Sequence, residues 1–169
     1  MNKVSPKRAA TAKLRYNSTF TAKEFRERKT KSAKTERQQW KAKADKWFSE
    51  FIRLRDSDEH GMATCVTCSH RGHWRTLQNG HWITRGHEAT RFDEMNCNTQ
   101  CRGCNYNGGQ HLKHEAAIVR KYGNEAVQKL TEKAKRPCKR TSSDYKFITE
   151  TYKSRVDHIR QNSPGKFRD

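Results

Sequence analysis

The chain has 169 residues, 31% hydrophobic and 33% charged, and a formal net charge of +19 from 37 Lys plus Arg against 18 Asp plus Glu. That length holds one domain, or one domain with an arm, and the composition excludes a large apolar core, so the fold needs a staple. The charge points to a polyanion, with nucleic acid the common case, rather than to a basic protein that merely stays soluble.

No apolar run resembles a signal-peptide core and no segment is long enough to span a membrane. The six cysteines, at 65, 68, 97, 101, 104 and 138, therefore read as metal ligands and plain thiols in a reducing cytosol, not as three disulfides.

Residues 1–34 are rich in Lys, Arg, Ser, Thr and Ala without a clear period and form the expected basic arm; through Lys46 there are 15 basic and 4 acidic residues, or +11 of the +19. Such an arm either attracts phosphate without reading sequence or is a solvated tail. A domain is expected over 35–162 and a short tail over 163–169.

A helix is predicted from about Thr35 to Asp56, because Trp40, Ala44, Trp47, Phe51 and Leu54 recur at helical spacing and Phe48 and Ile52 widen the stripe. Trp40 and Trp47 read as core residues first and base-stacking residues second. After Cys65-Val-Thr-Cys68 and a turn over 69–73, Trp74–Leu77 and His81–Thr84 read as the strands of a hairpin, with Gln78-Asn79-Gly80 at its bend. A loop follows, and Cys101-Arg-Gly-Cys104 opens a helix that Asn107-Gly108-Gly109 breaks or bends. Two or three further helices are predicted. One runs over His111–Tyr122 and stops at Gly123, the next is capped by Asn124 and ends at Arg136-Pro137, and the last is capped by Ser142 or Ser143. The fold class is α+β, mainly helical.

Two Cys-x-x-Cys pairs separated by 32 residues offer four thiolates, the donor set of a closed tetrahedral Zn²⁺ site, and the intervening chain is longer than a compact zinc ribbon has. Cys97 and Cys138 read as plain small residues, His70 and His73 as weaker substitutes for a thiolate, and His111 and His114 as an exposed pair lying along DNA. His81, beside an apolar Trp-Ile, is either a structural histidine or a general base, since a neutral imidazole near pH 7 can take a proton from water for phosphodiester attack. Asn105 follows the last zinc cysteine, and its side-chain oxygen is a hard donor suited to Mg²⁺ or Mn²⁺.

Gly80-His81, Asn96 and Cys101-x-x-Cys104-Asn105 resemble the HNH, or ββα-metal, nucleases. With Phe51-Ile-Arg-Leu-Arg-Asp56, Cys65-x-x-Cys68, Arg91-Phe-Asp-Glu-Met-Asn96 and Tyr122-Gly-Asn-Glu-Ala-Val127, the chain is similar to the NinG (Rap) family of lambdoid phages over roughly residues 47 to 160. The resemblance implies a zinc-stapled ββα-metal core with flanking helices. It further implies a phage endonuclease in the bacterial host's cytoplasm that cuts branched DNA, such as Holliday junctions and D-loops, in recombination. His81 would be the general base, Asn105 a catalytic-metal ligand, and Asn96 the residue that orients the loop by hydrogen bonds. Gly80 stands where many such enzymes carry an acid, so another anionic ligand is needed. Asp93 is the first candidate, with Glu94 and His87 behind it, unless Asp93 orders the loop by pairing with Arg91 or Arg85. Arg85, Arg91, Arg102 and Lys113 are the cations expected to meet DNA. Two incisions per junction imply a homodimer. Two other readings stay open: an HNH enzyme on non-branched or RecA-coated DNA, and a zinc-containing DNA-binding module without catalysis.

Overall fold

The computed structural model describes residues 34–167. The expected basic arm lies outside the described residues except for Lys34, as do the last two residues of the tail. The described part is a mostly helical α+β fold with two small two-stranded sheets.

Helix α1, Glu36–Arg55, places Glu36 in its first turn and Arg53 and Arg55 in its last, the arrangement the helix dipole favours. Its buried stripe is Ala44, Phe48, Phe51, Ile52 and Leu54. Trp47 is half-buried and packs on the edge of the core, whereas Trp40 lies outside it, with the Lys43 ammonium 4.0 Å above its ring. The stripe meets the last helix, α5 (Ser142–Asn162), which buries Tyr145, Thr149, Tyr152 and Val156. Phe48 sits edge-on to Tyr152 at 4.8 Å and to Phe92 at 5.5 Å, and Trp74, Cys97 and Val156 complete the main core. The cap of α5 lies one residue before the predicted serines. Thr141 is the N-cap, its hydroxyl accepting from the Asp144 N–H at 3.2 Å while the Asp144 carboxylate accepts from the Thr141 N–H at 2.7 Å. A Thr-x-x-Asp box satisfies two end donors at once, which a lone serine cannot do.

The predicted hairpin is not the one that forms. Strand β1 (Met62–Thr64) pairs antiparallel with β2 (Arg71–His73), and β3 (Gln78–His81) pairs antiparallel with β4 (Cys97–Gln100), setting Gln78 opposite Gln100 and His81 opposite Cys97. Trp74–Leu77 is a turn, and Asn79-Gly80 lies inside a strand. The Asn-Gly turn signal loses to tertiary pairing, and Gly80 is there for space: a Cβ would stand 1.9 Å from Gln100 Oε1. After β4 come α2 (Arg102–Tyr106), a 3₁₀ turn, α3 (His111–Tyr122) and α4 (Asn124–Lys135). Gly123, at φ 83°, joins α3 to α4 and is the N-cap of α4, so Asn124 is its first helical residue and not its cap. These helices close a second core of Trp82, Ile118, Ala126 and Leu130. No helix among the described residues is long and apolar enough to cross a membrane.

Candidate metal centre and active site

The Sγ atoms of Cys65, Cys68, Cys101 and Cys104 all lie within 4.8 Å of one another, with Cys68 and Cys101 3.7 Å apart. Four sulfurs at ~2.3 Å from one tetrahedral ion stand ~3.8 Å apart, so this donor set fits a structural zinc. It is the one cluster of three or more His, Cys, Asp or Glu groups able to hold a metal among the described residues. The first pair sits on a tight knuckle at the tip of β1–β2: the Cys65 N–H donates to the His70 carbonyl at 2.7 Å, and Ser69 turns left-handed at φ 61°. The Val66 N–H donates to the Thr99 carbonyl at 2.9 Å, tying the knuckle to β4. Cys101 is the N-cap of α2 and Cys104 lies within it, so the clamp fixes β1, β4 and α2 together. Burial opposes ionisation of Cys65, but hydrogen bonds from the Thr67 hydroxyl and nearby backbone amides outweigh it and bring the thiol down to about 6. The neighbouring sulfurs push Cys68 the opposite way, so the cluster favours ionising Cys65 first, and the thiolate is the form that binds metal.

His81 ends β3 opposite Cys97. Its Nε2 lies 2.9 Å from the Arg91 carbonyl oxygen, which can only accept, so Nε2 carries the proton and Nδ1 the lone pair. That Nδ1 is sealed from solvent and has no partner among the described residues. Burial outweighs the bond to the Arg91 carbonyl and, with the charges of Arg85 and Arg91, pulls the imidazole down to about 4. The ring is therefore neutral at pH 7, with its tautomer set by the backbone.

Asn96 is fully buried and closes the loop between β3 and β4. Its Oδ1 accepts from the Ile83 N–H at 2.8 Å, and its Nδ2 donates to the carbonyls of Ile83 and Thr90, each at 3.0 Å. Asn105 lies on α2, and its Nδ2 donates to Gln78 Oε1 at 2.7 Å. Gln78 begins β3 and His81 ends it, which separates them by ~10 Å along the strand and directs their side chains to opposite faces. The structure thus joins Asn105 to Gln78, not to His81.

The remaining candidates divide into occupied and open groups. Asp93 bonds the Met95 N–H at 3.0 Å and pairs with Lys133 at 2.6 Å, so it orders the loop through Lys133 and not through Arg91 or Arg85. Glu94 takes Tyr152 Oη at 3.1 Å and Arg155, and His87 faces the Ala134 carbonyl at 3.3 Å. Arg91 is spent on a fork to Asp45 at 2.8 and 2.6 Å and on the Arg85 carbonyl at 2.7 Å, which is what sets its own carbonyl against His81. Arg85, Arg102 and Lys113 are exposed, with Arg102 over the Tyr106 ring at 5.3 Å. His111 and His114 are not an exposed pair: His114 is fully buried with its Nε2 3.2 Å from Asn98 Nδ2, and only His111 is exposed, beside Trp82. Helical spacing put both on one side of α3 without showing that β4 covers half of it.

Asn105 lines an open pocket of about 550 Å³ with Ser49, Arg53, Leu77, Gln78, Asn79, Arg85 and Tyr106. No carboxylate lines it, and two guanidiniums do. Mg²⁺ and Mn²⁺ are held by carboxylates with substrate oxygens and water, so these residues do not by themselves fit a divalent cation. Gln78 and Arg53 were missed as site residues. Gln78 carries no sequence signal, and Arg53 stands in the Phe51–Asp56 motif without a role attached.

The sequence model of one protein family, described as "Bacteriophage Lambda NinG protein", matches residues 1–162. Among curated proteins, "Protein ninG" of Salmonella phage P22 is 27% identical over 133 residues, and those of Escherichia phages 933W and lambda are 26% identical over the same length. Each alignment covers 75% of this chain and 60% or 61% of the relative, so the chain spans about three fifths of the length of the curated relatives it matches. No solved structure matches it.

Proposed function

Since the chain belongs to the bacteriophage NinG family, we propose that it is an HNH-type endodeoxyribonuclease that cuts branched DNA during phage recombination. The observation that carries this reading is His81: a neutral imidazole, its Nε2–H pointed at the Arg91 carbonyl and its Nδ1 lone pair left free, on a β-β-α unit clamped by four cysteines. DNA binding must first open Nδ1 to a water molecule; Nδ1 then accepts that water's proton, the oxygen attacks phosphorus, and the P–O3′ bond breaks. Asn96 holds the loop whose carbonyl fixes the tautomer. Cys65, Cys68, Cys101 and Cys104 would hold a zinc ion that ties α2 to β4 and takes no part in the chemistry.

A zinc-clamped DNA-binding module without catalysis is the competing reading. It is favoured by the sealing of His81 Nδ1 and by the contact of Asn105 with Gln78 at the far end of β3. Incubation of the zinc-loaded protein with a four-way junction, a D-loop and a matched duplex, in Mg²⁺ or Mn²⁺, decides between the readings. The proposal expects nicks in the branched substrates at a rate at least tenfold above the duplex. Equal cutting of all three would leave an HNH enzyme without branch preference, and no cutting of any would leave the binding module.

A further inference from the structure

Arg53 is a half-buried cation with no carboxylate partner among the described residues. Its Nε donates to the Ser49 carbonyl at 3.1 Å, and its Nη1 to the carbonyls of Trp74 at 3.1 Å and Leu77 at 3.5 Å. The guanidinium also lies 5.2 Å from the centre of the Trp74 ring. Nη2 has no partner among the described residues. Other half-buried arginines are neutralised: Arg55 by Asp56, Arg91 by Asp45, and Arg140 by Glu88. Burial lowers the Arg53 pKa and only the field of Glu50 opposes this, while Glu50 itself is 3.4 Å from Arg160. A desolvated charge that neutral carbonyls hold in place is costly unless an anion completes it.

The pocket that Arg53 lines supplies the rest of an anion site. Arg85 lines it too, its guanidinium exposed and paired with no acid among the described residues. Gln78, Asn79 and Asn105 bring amide groups, and no carboxylate is present to repel an anion. With Nε and Nη1 already donating to carbonyls, Nη2 is the nitrogen of Arg53 left to donate to a phosphate oxygen, and a guanidinium held in place in this way loses little freedom on doing so.

We infer that the pocket between α1, β3 and α2 binds one phosphodiester group of a nucleic-acid strand, with Arg53 as the fixed cation, donating through Nη2, and Arg85 as the closing cation. This rests on the reading of the chain as a protein that acts on DNA, but not on its cutting DNA. The bound phosphate lies beside Asn105 and the zinc clamp, so the pocket sets where the strand crosses α2.

The test is binding of a labelled four-way junction by the zinc-loaded full chain without added Mg²⁺ or Mn²⁺, followed by fluorescence anisotropy across a salt series. Arg85→Gln should weaken affinity at least fivefold and reduce the slope of log K against log salt by ~0.7–0.9, the release from one phosphate contact. Arg53→Gln should do the same. Lys153→Gln, on the exposed side of α5 and outside this pocket, removes one positive charge as a control. The Arg85 side chain makes no hydrogen bond among the described residues, so its result decides even if Arg53→Gln melts early. Arg85→Gln matching the control in affinity and slope would overturn the inference. Because binding is read without turnover, a chain that binds but never cuts would retire the nuclease reading and leave this one standing.

Discussion

Replacing Asn96 by alanine removes three hydrogen bonds inside the protein and leaves the Ile83 N–H and the carbonyls of Ile83 and Thr90 without their partner. Asn96 has no exposed surface, so water cannot reach these groups unless the loop opens. An orphaned buried polar group costs ~1–3 kcal/mol, so three groups, allowing for partial relaxation, put the loss at about 3–6 kcal/mol. That is a large share of the ~5–15 kcal/mol that holds an ordinary domain together. Asn96→Asp separates shape from donor chemistry: it keeps an acceptor for the Ile83 N–H but aims a carboxylate oxygen at two carbonyls. It should be at least as damaging at pH 7 and partly recover when acid protonates the carboxylate. The assay is urea unfolding at 25 °C, followed by tryptophan fluorescence with zinc saturating. A loss below about 1 kcal/mol for Asn96→Ala, with the urea slope unchanged, would show that these bonds do not hold the loop and refute the reasoning.

Removing zinc should unfold the described domain. A Cys₄ site contributes roughly 10 kcal/mol or more, which rivals the whole stability, so chelation or Cys101→Ser should abolish the cooperative thermal transition, and elemental analysis of the intact protein should give one zinc per chain. Retention of the melt after complete zinc loss would contradict this. The pH dependence follows from His81 and His114, both pulled by burial to about 4 from the ordinary 6.5. Between those values the unfolded chain binds protons that the fold refuses, so stability is full above pH 6.5 and falls as pH drops toward 4, by up to about 3 kcal/mol for each histidine. Urea melts from pH 7 to 4.5 in excess zinc should show that fall, and His114→Gln should flatten it. An identical profile for the variant would rule out His114 as a cause.

The parts that could be read from the sequence are those fixed by short-range chemistry. The α1 stripe, the Gly123 break and the two Cys-x-x-Cys pairs each state their structure locally, as 3.6-residue periodicity, a backbone that needs positive φ, and a donor set. The strand pairing was not legible because it depends on residues far apart: Gly80 looks like a turn residue until β4 is known to pair beside it and lay the Gln100 side chain where a Cβ would go. The same limit hid the partners of the candidate site. Asp93 reads as a metal ligand until α4 brings Lys133 to it, and Arg91 as a DNA contact until α1 brings Asp45. Arg53 shows the reverse case. It reads as one more charged residue near a helix end, and only the fold shows that it has three carbonyls and no acid.

The most direct measurement of the central claim is single-turnover cleavage of a four-way junction by the wild-type protein and by His81→Ala, with junction affinity measured alongside. If the free nitrogen of that ring takes the proton from water, the variant should cut 10²–10⁴-fold more slowly while binding within about twofold of wild type. Cleavage by His81→Ala at the wild-type rate would contradict the account.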